Sequence, residues 1–356
     1  MTLREIRVSH IRSYEFFSAE IDSELTLLLG KNGSGKTTLL EAMYYLLQGT
    51  SFRGRDRDMI AHDSTRAEIA LDFANGDTRR ASLQQTADDT IKKTFVVAAK
   101  STQRLPAKAR LPVVLFEPDE LRLISSSPER RRRFFDGIIT RLYPGYGTIL
   151  ARYQRTLLQR NELLKRRDMM PEKTWDDQLF VWDLKFAELA LEITRQRREF
   201  VVTSNQHLSE LYSNMANRQH RVTVSYHSPI SDENYQQRLL DRLHHERIAD
   251  SYRGYTSAGP HRDDFLLTLD GHLASETASR GEMRTIMLAY KLLEVTLQTE
   301  IYNAPPLILL DDVFSELDTS RERMLMQSLR GHQTIITATD LRDELTHDAQ
   351  VITLAA

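Results

Sequence analysis

The chain has 356 residues and a net charge of −2; 40% of its residues are hydrophobic and 28% are charged. This balance is typical of a globular protein with a hydrophobic core, and it excludes a wholly disordered chain. The absence of cysteine excludes disulfides, thiolate metal sites and cysteine catalysis. No apolar run approaches the ~20 residues that span a membrane, and the polar N-terminus does not resemble a signal peptide. We therefore expect a cytoplasmic protein with no membrane partner.

The first part of the chain predicts strands around one helix. Leu25 to Leu29 is a continuous apolar run, as expected of a buried strand. Ile69 to Phe73 and Ala81 to Leu83 flank the turn sequence Asn75-Gly76-Asp77, which predicts a β-hairpin. Val113 to Phe116 is a further apolar run.

Long helices follow a helix start at Ser127-Pro128-Glu129. Two stretches have apolar residues at alternating steps of four and three, a heptad pattern that predicts an antiparallel hairpin of two helices. We expect each helix to have about 20–30 residues. The apolar positions are Tyr146, Leu150, Tyr153, Leu157 and Leu164 in the first stretch, and Trp175, Leu179, Trp182, Phe186, Leu189, Ile193 and Phe200 in the second.

The same region is locally basic. From Leu121 to Met170 there are 12 Arg and Lys residues against four acids, including the run Arg130 to Arg133. A basic segment of this kind can contact DNA phosphates, although a charge run alone equally fits a solvated helix surface. Arg53, Arg55 and Arg57 form a second small cluster.

From about Tyr255 onward, the sequence again predicts both helices and strands. A helix is predicted from Ser279 to about Ile301, and Leu307 to Leu310 and Thr334 to Ala338 predict buried strands. The sequence therefore predicts an α/β module in two halves, residues 1–125 and 255–356, separated by an inserted α-helical arm, residues 126–254.

A phosphate-binding loop follows the strand Leu25 to Leu29. Residues 30–37 match the pattern G-x4-G-K-[ST], whose backbone N–H groups cradle phosphate oxygens. Lys36 is expected to reach the β- and γ-phosphates, and the hydroxyl of Thr37 to ligate Mg²⁺. The predicted nucleotide-binding residues of this loop are Gly30, Lys31, Asn32, Gly33, Ser34, Gly35, Lys36, Thr37 and Thr38.

The strand Leu307 to Leu310 ends in Asp311 and Asp312, a pattern typical of a Walker B motif. Asp311 is expected to hold Mg²⁺ through water, and Asp312 to position the attacking water. Asp312 is one methylene shorter than the glutamate common at this position in fast ATPases, which predicts slow turnover.

Two shorter motifs extend this interpretation. Residues 315–318, Ser-Glu-Leu-Asp, resemble the D-loop of ABC ATPases, and residues 279–282, Ser-Arg-Gly-Glu, resemble a shortened signature motif of that class. Ser279 and Gly281 open a helix, where N–H groups favour anions. In the class that this resembles, such a motif faces the γ-phosphate bound by the other subunit.

The motifs, in this order and over essentially the full length, resemble the RecF family of bacterial recombination-repair proteins. The Ala-Gly-Pro-His-Arg-Asp-Asp run is the most distinctive; for its His261, a structural role is as compatible with the sequence as a catalytic one. The matching segments outside the motifs above are Ile11 to Tyr14, Ser51 to Arg53, Leu115 to Pro118, Ser127 to Arg133, Gln159 to Asn161 and Thr256 to Asp264.

This resemblance implies an ABC-type P-loop ATPase head, formed by both termini, with a short inserted α-helical arm. It implies ATP and Mg²⁺ as cofactors, an ATP-dependent homodimer, and weak DNA-stimulated ATP hydrolysis. It further implies sequence-nonspecific binding to gapped DNA at single-strand/double-strand junctions. RecR, and with it RecO, are the implied partners in loading RecA.

Three positions depart from the ABC pattern. Val114 is predicted at the place of a glutamine that orders Mg²⁺ and water, and Thr339 at the place of a histidine that contacts the γ-phosphate. Glu282 ends the signature where RecF proteins often have glutamine, and its carboxylate would repel ATP if it pointed inward. We hypothesise that all three lower turnover, so that ATP acts mainly as a dimerisation switch.

Three other functions share the phosphate-binding loop. The ATPase subunit of an ABC transporter is disfavoured by the incomplete signature and by the long helical insertion. A chromosome-organising clamp of the SMC class is disfavoured because the helices allow an arm of only about 30–45 Å. A non-hydrolysing interaction module would bind ADP and ATP equally well and without Mg²⁺.

Overall fold

The computed structural model of the chain describes residues 2–340 and 349–354. The chain divides into two compact units, which are described separately: a first unit of residues 1–121 and 290–356, and a second unit of residues 122–289. Among the described residues, none of the helices combines the length and the apolar character needed to cross a bilayer.

The helices and strands follow one another in chain order, with short 3₁₀ turns between some of them. Up to residue 121 they are β1 (Leu3–Ile11), β2 (Tyr14–Glu20), β3 (Leu25–Leu29), α1 (Lys36–Gln48), β4 (Arg66–Phe73), β5 (Thr78–Gln85), β6 (Ile91–Val97), β7 (Lys100–Thr102) and β8 (Val113–Phe116). The next are α2 (Pro128–Leu142), α3 (Pro144–Lys165), α4 (Glu172–Ala216), β9 (Val222–His227), α5 (Tyr235–Arg253), β10 (Asp264–Leu269), β11 (His272–Leu273), α6 (Ala274–Thr277) and α7 (Arg280–Tyr302). The last are β12 (Leu307–Asp311), α8 (Thr319–Ser328), β13 (Thr334–Ala338) and β14 (Gln350–Thr353).

The first unit contains a parallel sheet in the order β14-β3-β13-β12-β8. Its strands are continuous apolar runs, as expected of parallel strands that are covered on both faces. Because the strands are parallel, the loops after β3, β8, β12 and β13 leave the sheet at one edge. That edge collects the phosphate-binding loop and the two aspartates after the predicted Walker B strand.

An antiparallel sheet in the order β2-β1-β4-β5-β6-β7 completes the first unit. The predicted hairpin is confirmed as β4 and β5, and Gly76 in its turn has φ +81°, a conformation that favours glycine. Helix α1 contacts strands of both sheets, and almost all of its residues are buried. This explains why α1 is apolar around most of its circumference rather than on one face.

The second unit is built on the predicted antiparallel hairpin, which is confirmed as α3 and α4. The rings of Tyr153 and Phe186, one from each helix, stack with centroids 4.8 Å apart. Helix α4 is longer than the sequence predicted, with 45 residues. Its sequence contains no glycine or proline to stop it before Asn217, which has φ +49° and caps the helix. The heptad pattern ends at Phe200, whose ring packs on Phe135 of α2, and so it stops short of the C-terminal part of α4.

Two buried arginines hold the helices of the second unit together. Arg160 of α3 is fully buried and donates to Asp183 at 2.6 Å, to Asp250 at 3.5 Å and to Thr256 at 2.8 Å. Arg197 of α4 makes a bidentate pair with Asp136 of α2. Each buried guanidinium therefore joins several elements, and such a charge is tolerated only when it is paired and hydrogen-bonded.

The boundary between the two compact units differs from the boundary that the sequence predicts between head and arm. Residues 255–289 belong to the second unit because β10 pairs along its whole length with β9. The sequence placed that segment with the C-terminal half of the head. The assignment of residues 1–125 and 255–356 to one functional head, and of 126–254 to an arm, stays a prediction.

Replacing Arg160 with Ala tests the importance of the buried charge cluster. The change leaves the buried carboxylate of Asp183 without its cation and removes one of the two cations beside Asp250, so the free energy of unfolding is expected to fall by about 3–5 kcal/mol. Urea denaturation measures this. Arg195→Ala is the matched control, because Arg195 lies on the exposed surface of α4 and, within the described part of the chain, forms ion pairs with Glu192 and Glu199 alone. Equal losses in the two variants would contradict the role given to Arg160.

Candidate functional site

The phosphate-binding loop connects β3 to α1, and its shape depends on glycine. Gly33 and Gly35 have φ values of +87° and +90°, which side chains strongly disfavour. The ring of Tyr14 covers Gly35 so closely that an added Cβ would lie 2.5 Å from the ring. The hydroxyl of Tyr14 also donates to the carbonyl of Ser34 at 3.0 Å. Tyr14, which the sequence placed only in a family motif, thus fixes the loop.

Lys36 lies at the start of α1, and its ammonium group turns back over the loop. Its Nζ donates to the carbonyls of Gly30, at 2.5 Å, and Lys31, at 3.0 Å, and the side chain is 7% exposed. Ser34 Oγ is buried and has no hydrogen-bond partner among the described residues. A held cation, a buried hydroxyl without a partner and the N–H groups at a helix start together make a cradle for an anion.

The loop and the end of β12 meet through side chains. Thr37 Oγ1 donates to Asp311 Oδ1 at 2.8 Å, and Thr337 Oγ1 of β13 donates to the same oxygen at 3.0 Å. Burial raises the pKa of Asp311, while the two hydroxyls and the positive charge of Arg53 oppose that rise. Sequence reasoning missed Thr337, and the signal for it was a hydroxyl near the carboxyl end of a buried strand.

Asp312 follows Asp311 in a left-handed conformation, with φ +49°. Its N–H donates to Thr337 Oγ1 at 2.9 Å, and its carbonyl accepts from Ser315 Oγ at 2.7 Å. The backbone of Asp312 is therefore held on both sides while its carboxylate stays partly exposed. Ser315 belongs to a 3₁₀ turn, and Asp318 caps α8 by accepting from the N–H of Arg321. These are the residues in which the sequence suggested a D-loop.

The residues at this edge fit a magnesium ion. The hydroxyl of Thr37 and the carboxylate of Asp311 are hard oxygen donors, which Mg²⁺ prefers. Within residues 2–340 and 349–354, no group of three or more His, Asp or Glu side chains is placed to hold a metal. A P-loop site needs no such group, because phosphate and water supply the remaining Mg²⁺ ligands.

Two family motifs meet on a buried glutamate. Glu41 of α1 is fully buried and accepts from Arg12 at 2.6 and 2.8 Å and from Ser51 Oγ at 2.5 Å. Arg12 and Ser51 belong to segments on either side of the loop and its helix, so Glu41 ties both to α1. In the sequence, Glu41 is only an acidic residue on an otherwise apolar helix. Its contacts with Arg12 and Ser51 were therefore not predicted from the sequence.

Comparison with known proteins agrees with this geometry. The profile of the RecF/RecN/SMC N-terminal domain matches residues 2–354. The DNA replication and repair protein RecF of Agathobacter rectalis is 34% identical over 99% of this chain and 96% of its own length. The chain belongs to the RecF family.

Solved structures extend the comparison to the fold. A structure of the recombination mediator protein RecF with ATP, from the RecFOR pathway, is 27% identical, with a TM-score of 0.84 over 96% of this chain and 93% of its own. An SMC head domain of Pyrococcus furiosus is 15% identical, with a TM-score of 0.53 over 99% and 93%. The second likeness concerns the fold alone. The predicted class, a P-loop head of ABC type with an inserted helical arm, is confirmed.

The signature residues of this RecF-family chain form a local structure in the second unit. Ser279 Oγ accepts from the N–H of Glu282 at 3.3 Å, and the Glu282 carboxylate accepts from the N–H of Ser279 at 2.8 Å. This is a capping box, and these hydrogen bonds lower the pKa of Glu282. The Gly281 carbonyl accepts from Thr285 Oγ1. In this chain the Glu282 carboxylate turns back to cap its own helix, and its effect on bound ATP stays a prediction.

The other two positions that depart from the ABC pattern, Val114 and Thr339, lie in or directly after strands of the parallel sheet. Val114 is fully buried within β8, paired beside Ile308, so its side chain cannot reach the loops at the edge. The first residue after that strand is Glu117. The assignment of Val114 to the glutamine position stays a prediction. Thr339 directly follows β13, as expected, and its hydroxyl donates to Asp340 at 3.0 Å.

The basic segment carries fewer available charges than its sequence suggests. Arg131 makes a bidentate pair with Asp264, and Arg132 donates to the carbonyl of Asp263 at 2.6 Å. Arg160 is buried. Several arginines between residues 121 and 170 therefore stabilise the second unit rather than face solvent, and a count of charges overstates the positive charge that this segment exposes.

His261 is part of the same internal structure. Its Nδ1 lies 2.7 Å from the hydroxyl of Tyr153, and its Nε2 lies 3.0 Å from the carbonyl of Thr256. Burial lowers the pKa of His261 to about 4, so the ring is neutral near pH 7. With both ring nitrogens engaged inside the second unit, His261 has a structural role.

Gly35→Ala tests the fit of Tyr14 against the loop. Both the positive φ and the contact with the ring force the loop to move, so ATP affinity is expected to fall at least about tenfold, equivalent to about 1.4 kcal/mol. Equilibrium binding of a fluorescent ATP analogue measures it. Gly76→Ala is the control, because Gly76 has a similar φ of +81° with nothing within 4 Å of an added Cβ. A loss of ATP affinity in the control as well would show that general destabilisation is responsible.

His261 predicts a dependence of stability on pH. The folded chain keeps the ring neutral down to about pH 4, whereas an unfolded histidine takes up a proton near pH 6.5. Stability from this group is therefore lost as the pH falls below about 6.5, by roughly 2 kcal/mol between pH 7 and pH 5. The measurement is urea denaturation of the wild type and His261→Gln across that range. An equally steep dependence in the variant would refute the assignment.

Proposed function

We propose that this chain is an ATP-dependent DNA-binding protein of recombinational repair that acts in the cytoplasm and hydrolyses ATP slowly. The observation that carries the proposal is the 2.8 Å contact between Thr37 and Asp311, which brings the two halves of a P-loop site together. The ATP named with the related RecF structure supports ATP as the nucleotide. The replication and repair role named for the relatives supports DNA as the partner.

Each residue of the site has a defined role in this proposal. Lys36 donates to the β- and γ-phosphate oxygens, and Gly30 to Thr38 supply the backbone cradle. Thr37 and Asp311 would hold Mg²⁺, which supplies positive charge to neutralise the phosphates. Asp312 accepts a proton of the attacking water and aims it, because its backbone is fixed by Thr337 and Ser315. The short Asp312 carboxylate and the uncharged Thr339 favour slow turnover.

The signature motif suggests a composite site in a homodimer. In a two-fold dimer, the same surface of each subunit contacts the other. Ser279 and Gly281 would then contact the nucleotide held by the partner, since the capping box uses the oxygen of Ser279 as an acceptor and leaves its hydrogen to donate. ATP would close the dimer, and hydrolysis would release it.

The dimer is proposed to bind gapped DNA at single-strand/double-strand junctions without sequence specificity, through phosphate contacts of exposed arginines and lysines. RecR and RecO are the proposed protein partners, and RecA loading is the proposed outcome. DNA is expected to stimulate the weak ATPase.

Two substitutions separate ATP binding from hydrolysis. Lys36→Ala removes the phosphate contact and is expected to abolish ATP-dependent dimerisation. Asp312→Asn keeps the shape of the side chain but removes the negative charge that accepts a proton of the attacking water, so it is expected to preserve or strengthen the dimer while turnover stops. Light scattering after gel filtration, with no nucleotide, ADP or ATP·Mg²⁺, measures the mass, which is 41.2 kDa for the monomer and twice that for a dimer.

The same runs with gapped DNA test the assignment to DNA repair, and co-elution is the expected result. Lys100→Ala, an exposed lysine of β7, is the matched control and should behave as wild type. Dimers of Lys36→Ala formed with ATP, or a turnover number above about 10 s⁻¹, would contradict the proposed switch. A monomer under every condition would end the composite-site proposal and leave ATP binding in place.

A further inference from the structure

Two tyrosines of the second unit are exposed at the end of α5. Tyr252 is 80% exposed and Tyr255 is 44% exposed. An aromatic side chain of this size is usually at least half buried, because its ring contributes a large apolar area to the core. Two exposed rings separated by only two residues therefore form an unusual surface, and the nucleotide site makes no use of them.

Each ring lies beside an arginine. The guanidinium of Arg167 is 5.4 Å from the ring centroid of Tyr252, and that of Arg262 is 4.7 Å from the ring centroid of Tyr255. Such cation–π contacts orient the ring and put a positive charge next to it. We call Arg167, Tyr252, Tyr255 and Arg262 the tyrosine–arginine patch.

The backbone that carries the patch is firmly held. Gly254, between the tyrosines, caps α5 with φ +74° and donates to the carbonyl of Asp250 at 2.8 Å. Asp250 is fully buried in the cluster with Arg160. On the other side, the N–H and hydroxyl of Thr256 both donate to Asn161 Oδ1. The exposed rings thus stand on a rigid support, so little ordering is needed when they bind a ligand.

The surroundings of the patch are basic. Lys165, Arg166 and Arg253 are exposed on the adjoining ends of α3 and α5. Lys165 pairs with Glu162, and Arg253 lies 3.6 Å from Glu246. Among the residues that the structure describes, Arg166 forms no ion pair within 4 Å, although its charge acts on Glu162. Positive charge next to exposed rings is the arrangement that binds a flexible polyanion with aromatic groups.

We propose that the tyrosine–arginine patch binds single-stranded DNA, with unpaired bases stacked on Tyr252 and Tyr255 and phosphates near the basic side chains. Aromatic rings accept bases of any sequence, and stacking contributes about 1–3 kcal/mol per base. A duplex offers no free base faces to stack, so the patch distinguishes the unpaired strand of a gap from its duplex flank. This inference rests on the proposed DNA-binding function and adds the surface that recognises the single strand.

Photo-crosslinking locates the contact in the unmodified protein. Full-length chain with ATP·Mg²⁺ is irradiated with an oligo(dT) of about 16 nucleotides, the upper end of site sizes for such surfaces, that contains 5-iododeoxyuridine. Trypsin cleavage gives peptides 248–253 and 254–262, each with one tyrosine. Adducts on these peptides are expected. Crosslinks found only elsewhere, with the oligonucleotide bound, would overturn the inference.

Substitution tests the energy of the contact. Tyr252→Leu combined with Tyr255→Leu is expected to weaken oligo(dT) binding about fivefold or more, measured by fluorescence anisotropy, while duplex binding and basal ATP hydrolysis stay unchanged. Tyr252→Phe with Tyr255→Phe keeps the rings and should bind as wild type. Tyr143→Leu, at a tyrosine 40% exposed elsewhere in the second unit, is the matched control.

The outcomes separate this inference from the proposed function. Wild type that binds neither gapped DNA nor oligo(dT) would end both. In another outcome, the wild type binds gapped DNA while the wild type and the leucine variant bind oligo(dT) with equal affinity. That result would overturn the role of the tyrosine–arginine patch in binding and leave the proposed function standing. An equal loss of duplex and single-strand binding in the leucine variant would also overturn it, because stacking on unpaired bases cannot affect a duplex.

Discussion

The contact between Thr37 and Asp311 is the constraint on which the nucleotide site depends. Thr37 lies just after β3 and Asp311 ends β12, and these strands are not neighbours, because β13 lies between them. Thr337 of β13 fills that gap by donating to Asp311 and accepting from the N–H of Asp312. Three parallel strands must therefore end at the same edge and in register. A slip of one strand would part the hydroxyl, the carboxylate and the loop together.

The second unit uses polar groups for a different purpose. Arg160, Arg197 and His261 are all held inside it by hydrogen bonds from several elements. Buried ion pairs contribute little net stability compared with apolar packing, but each arrangement satisfies its groups in only one geometry. The Ala-Gly-Pro-His-Arg-Asp-Asp run, distinctive in the sequence, thus stabilises the packing of the helices through hydrogen bonds to α3 and α4. Its exposed arginine, Arg262, belongs instead to the tyrosine–arginine patch.

The sequence predicted those features that local patterns determine. The phosphate loop, the strand before Asp311 and the α3–α4 hairpin all follow from spacing and apolar periodicity, and the fold class follows from their order. Contacts between residues far apart in sequence left no such pattern. Nothing local links Arg12 to Glu41. The capping box of Ser279 and Glu282, by contrast, is a local Ser-x-x-Glu pattern that sequence reasoning overlooked. A count of arginines likewise could not show that Arg131 and Arg160 face inward, because burial depends on the assembled fold.

The position of β3 between β13 and β14 has a consequence for synthesis on the ribosome. Both neighbours of the strand that leads into the phosphate loop come from residues 334–353, whereas the strand itself comes from residues 25–29. The phosphate loop therefore lacks its flanking strands while about three hundred residues are translated. At common bacterial rates this takes about 15–60 s. The second unit, which is continuous in sequence, is complete well before then. The complete nucleotide site can thus form only after residue 353 has been translated.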